Sequence, residues 1–151
     1  MIKIITVGEI KESYLKEAIE EYKKRLQKYT KIEIIEVKDE GLLDIERGKK
    51  IEGEKILKNI QDKDYLITLE IEGKELDSIE FSKKIENTLM THSNITFIIG
   101  GSNGLDQSIK ALSNYSLSFS KMTFPHQLFR VILLEQIYRA FKIINNESYH
   151  K

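Results

Sequence analysis

The 151-residue chain balances 24 Lys or Arg against 24 Asp or Glu and contains no cysteine. Without cysteine it can form no disulfide, no thiolate metal site and no cysteine nucleophile. It has 40% hydrophobic and 32% charged residues and no apolar run of transmembrane length. We therefore expect a single soluble domain, residues 1–151, in the cytoplasm, with no secretory leader and no membrane partner.

Hydrophobic periodicity predicts an alternation of strands and helices. Apolar residues at every second position, or in short continuous runs, predict strands at residues 2–7, 32–37, 64–71, 94–99 and 115–119. Helical spacing predicts helices at residues 14–29, 45–60, 78–89, 106–112 and 127–144. Ser13 and Ser78 are candidate N-caps, residues 72–74 are expected to turn the chain, and Pro125 suits the start of the last helix. This order predicts an α/β fold with a mostly parallel sheet between helix layers.

Three loops follow the carboxyl ends of predicted strands, where open α/β sheets bind ligands. They come after Leu69-Glu70-Ile71, after Ile98-Ile99 and after Phe119. The second loop, Gly100-Gly-Ser-Asn-Gly104, would let backbone N–H groups approach a ligand closely. It matches neither the dinucleotide fingerprint nor the phosphate-binding P-loop. A tight strand-to-helix turn explains it equally well.

The titratable residues show no metal-binding signature. His92, His126 and His150 lack the spacing of metal ligands, so no metal is expected. His126, just after Pro125, could act as a base or touch a ligand, or it could be an ordinary surface histidine. Glu135 and Arg139 are four residues apart on one predicted helix, and their simplest interpretation is an intrahelical ion pair.

The last third of the chain is basic. Residues 107–151 carry six Lys or Arg and two Glu, with tyrosines and histidines interleaved. Such side chains could meet an RNA backbone and stack on bases, or they could be solvated helix charges. The polar terminus is expected to fray, yet Tyr149, His150 and Lys151 place a stacking ring, a titratable ring and a cation together.

Several segments together form a familiar pattern. They are TLEIEGK (residues 68–74), FIIGGSNGL (97–105), LSFSKMTFPHQLFRVILLEQIYRAFKI (117–143), the ending SYHK (148–151) and the opening MIKIITVGEIKESYLKEAIEEYKKRL. This pattern closely resembles the RlmH family of SPOUT-class methyltransferases, which methylate N3 of a pseudouridine in large-subunit (23S) ribosomal RNA. The resemblance covers nearly the whole chain and is weakest at residues 41–50.

The resemblance implies properties that composition and spacing do not show. It implies a SPOUT (α/β knot) fold with a C-terminal trefoil knot, a homodimer, and S-adenosylmethionine as methyl donor with no metal. It implies ribosomal RNA as substrate, in the large subunit or the whole ribosome, and leaves open whether free RNA is also accepted. By resemblance, the donor contacts are Leu69, Gly100, Phe119, Ser120, Lys121, Met122, Thr123 and Phe124. The homodimer would account for a last helix that is apolar around most of its circumference.

The chemistry needs a group that handles the acceptor proton. Because the imide nitrogen must lose its proton, a base or a charge-stabilising group is required. His126 and Arg139 are the catalytic candidates. The RNA-binding candidates are Arg130, Tyr149, His150 and Lys151. Two other functions stay open: an RNA-binding module without chemistry, and a different nucleotide-dependent α/β enzyme that uses the Gly100 loop for phosphates. Donor binding would separate the three.

Overall fold

Strands and helices alternate along the computed structural model, which describes residues 1–41 and 43–151. The elements are β1 (Ile2–Val7), α1 (Ser13–Leu26), β2 (Ile32–Val37), α2 (Ile45–Leu57), β3 (Asp64–Glu75), α3 (Ser78–Thr91), β4 (Asn94–Ile99), α4 (Gln107–Leu112), β5 (Tyr115–Ser118) and α5 (His126–Ile144). The predicted order of elements is confirmed. None of these helices combines the length and apolarity that crossing a bilayer requires.

The five strands form one parallel sheet in the order β2-β1-β4-β3-β5. The central strand β4 and its neighbour β1 are buried on both faces, as their near-continuous apolar sequences require. Helices α1, α3 and α5 pack on one face, and α2 and α4 pack on the other. The predicted α/β fold with a parallel sheet between helix layers is thus confirmed. The trefoil knot stays a prediction.

Helix α5 lies between α1 and α3 on its face of the sheet. Its own residues Leu133, Leu134 and Ile137 are fully buried. Helices α1 and α3 cover much of the apolar surface of α5 that the sheet alone could not bury. The outward side near the helix start is less covered, since Leu128 is 40% exposed.

Strand β3 departs from the prediction at residues 72–74. Instead of turning there, the strand continues to Glu75, and Leu69 and Lys74 both pair with Leu117 of β5. Residues 70–73 therefore form a bulge. An added Cβ on Gly73 would lie 2.8 Å from the backbone of Ser116 and Leu117. The close approach of β3 to β5 at this residue therefore leaves no room for a side chain.

The predicted N-caps are displaced by one residue. Ser13 and Ser78 are the first helical residues, and Glu12 and Asp77 occupy the cap positions. Asp77 and Glu80 form a complete capping box, because each carboxylate accepts a hydrogen bond from the other's backbone N–H. Pro125 immediately precedes α5, which confirms its predicted place at the helix start.

Candidate functional site

A cleft of about 340 Å³ opens at the carboxyl ends of β3, β4 and β5. The three loops singled out from the sequence converge on it. Its lining includes a group of apolar side chains: Leu69, Ile71, Ile99, Leu105, Leu117, Phe119, Met122, Phe124 and Phe129. Polar groups of the same three loops, together with Lys110 of α4 and His126 of α5, complete the lining, so the cleft has the character of a small-molecule site.

The Gly100 loop lines the cleft with backbone atoms, because its glycines have no side chains. An added Cβ on Gly100 would lie 2.9 Å from the carbonyl carbon of Gly104, which has φ +81°. The N–H of Gly104 donates to the carbonyl of Gly101 and closes the loop. A side chain at residue 100 would therefore force the backbone apart, which is a physical reason for glycine there.

The loop after β5 forms an aromatic wall. Phe119 meets Phe129 edge-on with ring centroids 4.9 Å apart, and Phe124 stacks on Phe129 at 6.1 Å. The backbone N–H of Met122 donates to Ser120 Oγ at 3.0 Å, which holds the turn. Met122 itself is 74% exposed at the mouth of the cleft, where it is free to cover an apolar ligand.

Glu70 supplies a carboxylate to the same cleft. Its Oε2 accepts hydrogen bonds from Thr68 Oγ1 at 2.6 Å and Ser116 Oγ at 2.7 Å. Lys110 Nζ lies 3.8 Å from the other oxygen, Oε1. Sequence reasoning did not single out Glu70 as a site residue. The only signal was an acidic residue at the end of a predicted strand.

Comparison with known proteins decides the family. The family model described as "Predicted SPOUT methyltransferase" matches residues 1–150. The chain belongs to this SPOUT methyltransferase family.

Individual relatives agree with this assignment over full length. A protein named ribosomal RNA large subunit methyltransferase H from Clostridium botulinum (strain Hall) is 55% identical, with 99% of each chain covered. A Methanococcus vannielii protein is 57% identical over the same shares. In fold, a probable methylase family protein from Haemophilus influenzae Rd KW20 matches 99% of this chain and 70% of its own, with a TM-score of 0.59 and 14% identity.

The SPOUT chain gathers most of the predicted donor contacts in the cleft. Of the eight predicted residues, seven line it: Leu69, Gly100, Phe119, Ser120, Met122, Thr123 and Phe124. Lys121, the eighth, is exposed and lies outside the lining. Its backbone remains between two lining residues.

His126 lies where the cleft meets the end of β1. It belongs to the cleft lining, and an added Cβ on Gly8 would come within 3.3 Å of its Nε2. The imidazole thus stands at the cleft edge, held between the start of α5 and the β1–α1 loop. A ring nitrogen at this place can accept a proton from a bound group or donate one to it.

Arg130 is placed differently from the RNA contact that was predicted. It is 1% exposed, forms a 2.6 Å ion pair with Glu36, and donates to the carbonyl of Gly8 at 2.7 Å. An RNA contact would require this ion pair to open. The guanidinium ties β1, β2 and α5 together, and its removal would leave the Glu36 carboxylate with the Ile10 N–H but without its cation.

Arg139 and the chain terminus form a second group of predicted residues. Arg139 pairs with Glu135 at 2.9 Å, as the sequence spacing suggested, and also lies over the Tyr149 ring, 4.8 Å from its centroid. A hydrogen bond of 3.1 Å joins Arg139 Nη1 to His150 Nδ1. His150 and Lys151 are exposed.

The terminus is docked on α5, and the expected fraying is not observed. The Tyr149 hydroxyl donates to Glu135 Oε2 at 2.9 Å, and its ring meets Tyr138 edge-on at 5.0 Å. Burial and the neighbouring carboxylate raise the pKa of Tyr149. These partners lie on α5, outside the polar segment itself, so the local composition of the tail gave no signal of them.

Glu147 anchors the start of this tail. Its carboxylate accepts from the Tyr29 hydroxyl at 2.8 Å, from Lys142 at 3.0 Å and from Lys28 at 3.2 Å. The Tyr29 and Lys142 hydrogen bonds lower the pKa of Glu147 from 4.5 to about 2. The ionised carboxylate therefore favours the docked tail.

The docked tail and the cleft stand apart along α5. Arg139, which holds Tyr149, follows His126 by thirteen residues. At a rise of about 1.5 Å per residue, this separation is about 20 Å along the helix axis. The two groups of predicted residues are therefore not brought together within one chain.

Proposed function

We propose that this SPOUT methyltransferase transfers a methyl group from S-adenosylmethionine to N3 of a pseudouridine in large-subunit ribosomal RNA. The observation that carries the proposal is the cleft, in which three strand-end loops bring together seven of the eight expected donor contacts. The name of the C. botulinum relative, at 55% identity over full length, supports the substrate class.

The cleft suits a donor that is already activated. A sulfonium methyl needs little chemical assistance, so the protein must mainly hold it in line with the acceptor nitrogen. Leu69, Met122 and Phe124 provide apolar contacts for the adenine and for the carbon groups around the sulfur. The backbone of the Gly100 loop provides hydrogen-bonding groups without side chains in the way.

The acceptor side requires groups for the imide proton and for the RNA. Reaction breaks the methyl C–S bond, forms an N–C bond and releases the N3 proton. His126, at the cleft edge, is the proposed acceptor of this proton. Arg139 is the proposed partner of the base oxygens or a phosphate. Tyr149, His150 and Lys151 are the proposed RNA contacts, by stacking and charge.

A homodimer would bring these groups to one place. The tail contacts Glu135 and Arg139, which lie about 14 Å and about 20 Å along α5 from His126 of its own chain, so it fits better as a contributor to the cleft of a second copy. The outward side of the first turns of α5, with Leu128, Val131 and Ile132 incompletely covered, is the proposed contact. We propose that residues 1–151 act as one domain in a symmetric cytoplasmic dimer.

Calorimetry followed by a transfer assay tests this function. Calorimetry should show S-adenosylmethionine binding to the purified protein. Donor labelled in its methyl group should then pass label to large-subunit RNA when ribosomes lacking the modification are supplied. Parallel reactions with protein-free RNA identify whether the assembled ribosome is required. A protein that binds RNA but no donor would be a binding module, and the proposal would be wrong.

A further inference from the structure

The Glu70 carboxylate is held in one orientation in the cleft. It lies on the β3 bulge, and its side chain is only 14% exposed. The hydroxyls of Thr68 and Ser116 both donate to Oε2, at 2.6 Å and 2.7 Å. Thr68 is fully buried. Two short hydrogen bonds to one oxygen hold Oε2 in place and so restrict the orientation of the carboxylate.

The second oxygen of Glu70 has no hydrogen-bond donor among the described residues. Its nearest cation is Lys110 Nζ, 3.8 Å away, which is longer than a charge-assisted hydrogen bond. Lys110 also lines the cleft, with its side chain 35% exposed. The cleft therefore contains a fixed negative charge and a partly exposed positive charge that incompletely neutralises it.

The two small molecules of the reaction differ in charge at the sulfur. The donor carries a sulfonium cation, and the product is a neutral thioether of nearly the same shape. We infer that Glu70 is a specificity-determining residue that makes the cleft prefer the sulfonium donor over the thioether product, with Lys110 opposing it. This inference rests on the proposed function of the cleft.

Electrostatics sets the expected size of the effect. A charge at the wall of a partly enclosed cleft interacts with a ligand cation more strongly than in bulk water, although solvent still screens it. Replacing the carboxylate by an amide of the same shape should remove this interaction. We expect the ratio of donor affinity to product affinity to fall roughly three- to tenfold in Glu70→Gln.

The experiment is calorimetric titration of the full chain with S-adenosylmethionine and, separately, with S-adenosylhomocysteine. In Glu70→Gln, donor affinity should fall and product affinity should stay within about twofold. Lys110→Gln should shift the ratio the opposite way, because it removes the opposing cation. Glu75→Gln is the matched control: Glu75 ends the same strand, is exposed and lies outside the cleft lining, so it should leave the ratio unchanged.

The ratio distinguishes charge recognition from a structural role. An equal loss of affinity for both ligands in Glu70→Gln would show that the carboxylate only supports the loop, and would overturn the inference. Lys110→Gln disturbs no hydrogen bond of Glu70. If this variant lowers the donor preference or leaves it unchanged, the inference is also overturned. If the wild type transfers methyl groups while these ratios stay constant, the proposed function stands and only the inference fails. Absence of donor binding by the wild type would overturn both.

Discussion

Removal of the terminal residues 148–151 separates the role of the tail from that of the donor cleft. The truncation deletes Tyr149, His150 and Lys151 but keeps Glu147, which anchors the preceding turn through Tyr29 and Lys142. Because the docked tail contacts Glu135 and Arg139, about 14 Å and about 20 Å along α5 from His126, donor affinity should not change.

The contacts of Tyr149 set the expected loss of stability. Its hydroxyl bond to the charged Glu135 is of a type worth about 1.5–3 kcal/mol. The edge-on contact with Tyr138 is of a type worth about 0.5–1.5 kcal/mol. Partial exposure and the regained freedom of the tail offset much of this, so we expect a net loss of about 1–2 kcal/mol. For a chain of this length, the unfolding midpoint should fall by only a few degrees, about 2–8 °C.

Methyl transfer should fall much more than stability. A stacked aromatic ring contributes about 1–3 kcal/mol to the binding of a nucleic-acid base, and His150 and Lys151 are lost with it, so transfer to ribosomal RNA should fall by at least about tenfold. Single-turnover assays with saturating donor measure this step, and calorimetry gives the donor affinity. Tyr149→Phe keeps the ring and should be milder than Tyr149→Ala. Transfer at the full rate by the truncated protein would refute a substrate role for the tail.

Three further predictions concern the cleft, the assembly and the tail anchor. Gly100→Val should weaken donor binding at least about tenfold by calorimetry, because its Cβ would meet Gly104 backbone at 2.9 Å; unchanged affinity would remove this loop from the donor site. Sedimentation at micromolar concentration should give twice the 17.6 kDa chain mass, and Leu128→Asp should shift it towards monomer, whereas a monomeric wild type would contradict the dimer. Since the folded pKa of Glu147 is lowered from 4.5 to about 2, its stabilisation is present above pH 4.5 and lost as pH falls towards 2. The difference in unfolding midpoint between wild type and Glu147→Gln should therefore shrink on acidification, and a constant difference would contradict the anchor.

Local sequence pattern was enough to locate the cleft. Strand and helix periods are local properties, and the carboxyl ends of parallel strands share one sheet edge. The loops at Leu69, Gly100 and Phe119 could therefore be placed together from the sequence alone. The donor-contact role of Phe124 was implied only by the family resemblance, and its stacking on Phe129 was not predicted.

Features that depend on distant contacts could not be predicted. The bulge at residues 70–73 is set by the pairing of β3 with β5, more than forty residues later, and Gly73 resembled an ordinary turn glycine. The burial of Arg130 depends on Glu36 and Gly8, both far away in the chain. The tail resembled a frayed end because its partners lie on α5.

Mass spectrometry of nuclease-digested ribosomal RNA tests the central claim most directly. Ribosomes that lack the modification are incubated with wild-type protein and S-adenosylmethionine, and the large-subunit RNA is analysed for methylated nucleosides. The account predicts one new methyl group, on N3 of a pseudouridine, that requires both the donor and the protein. A methyl group on another atom or on another RNA, or none at all despite donor binding, would contradict it.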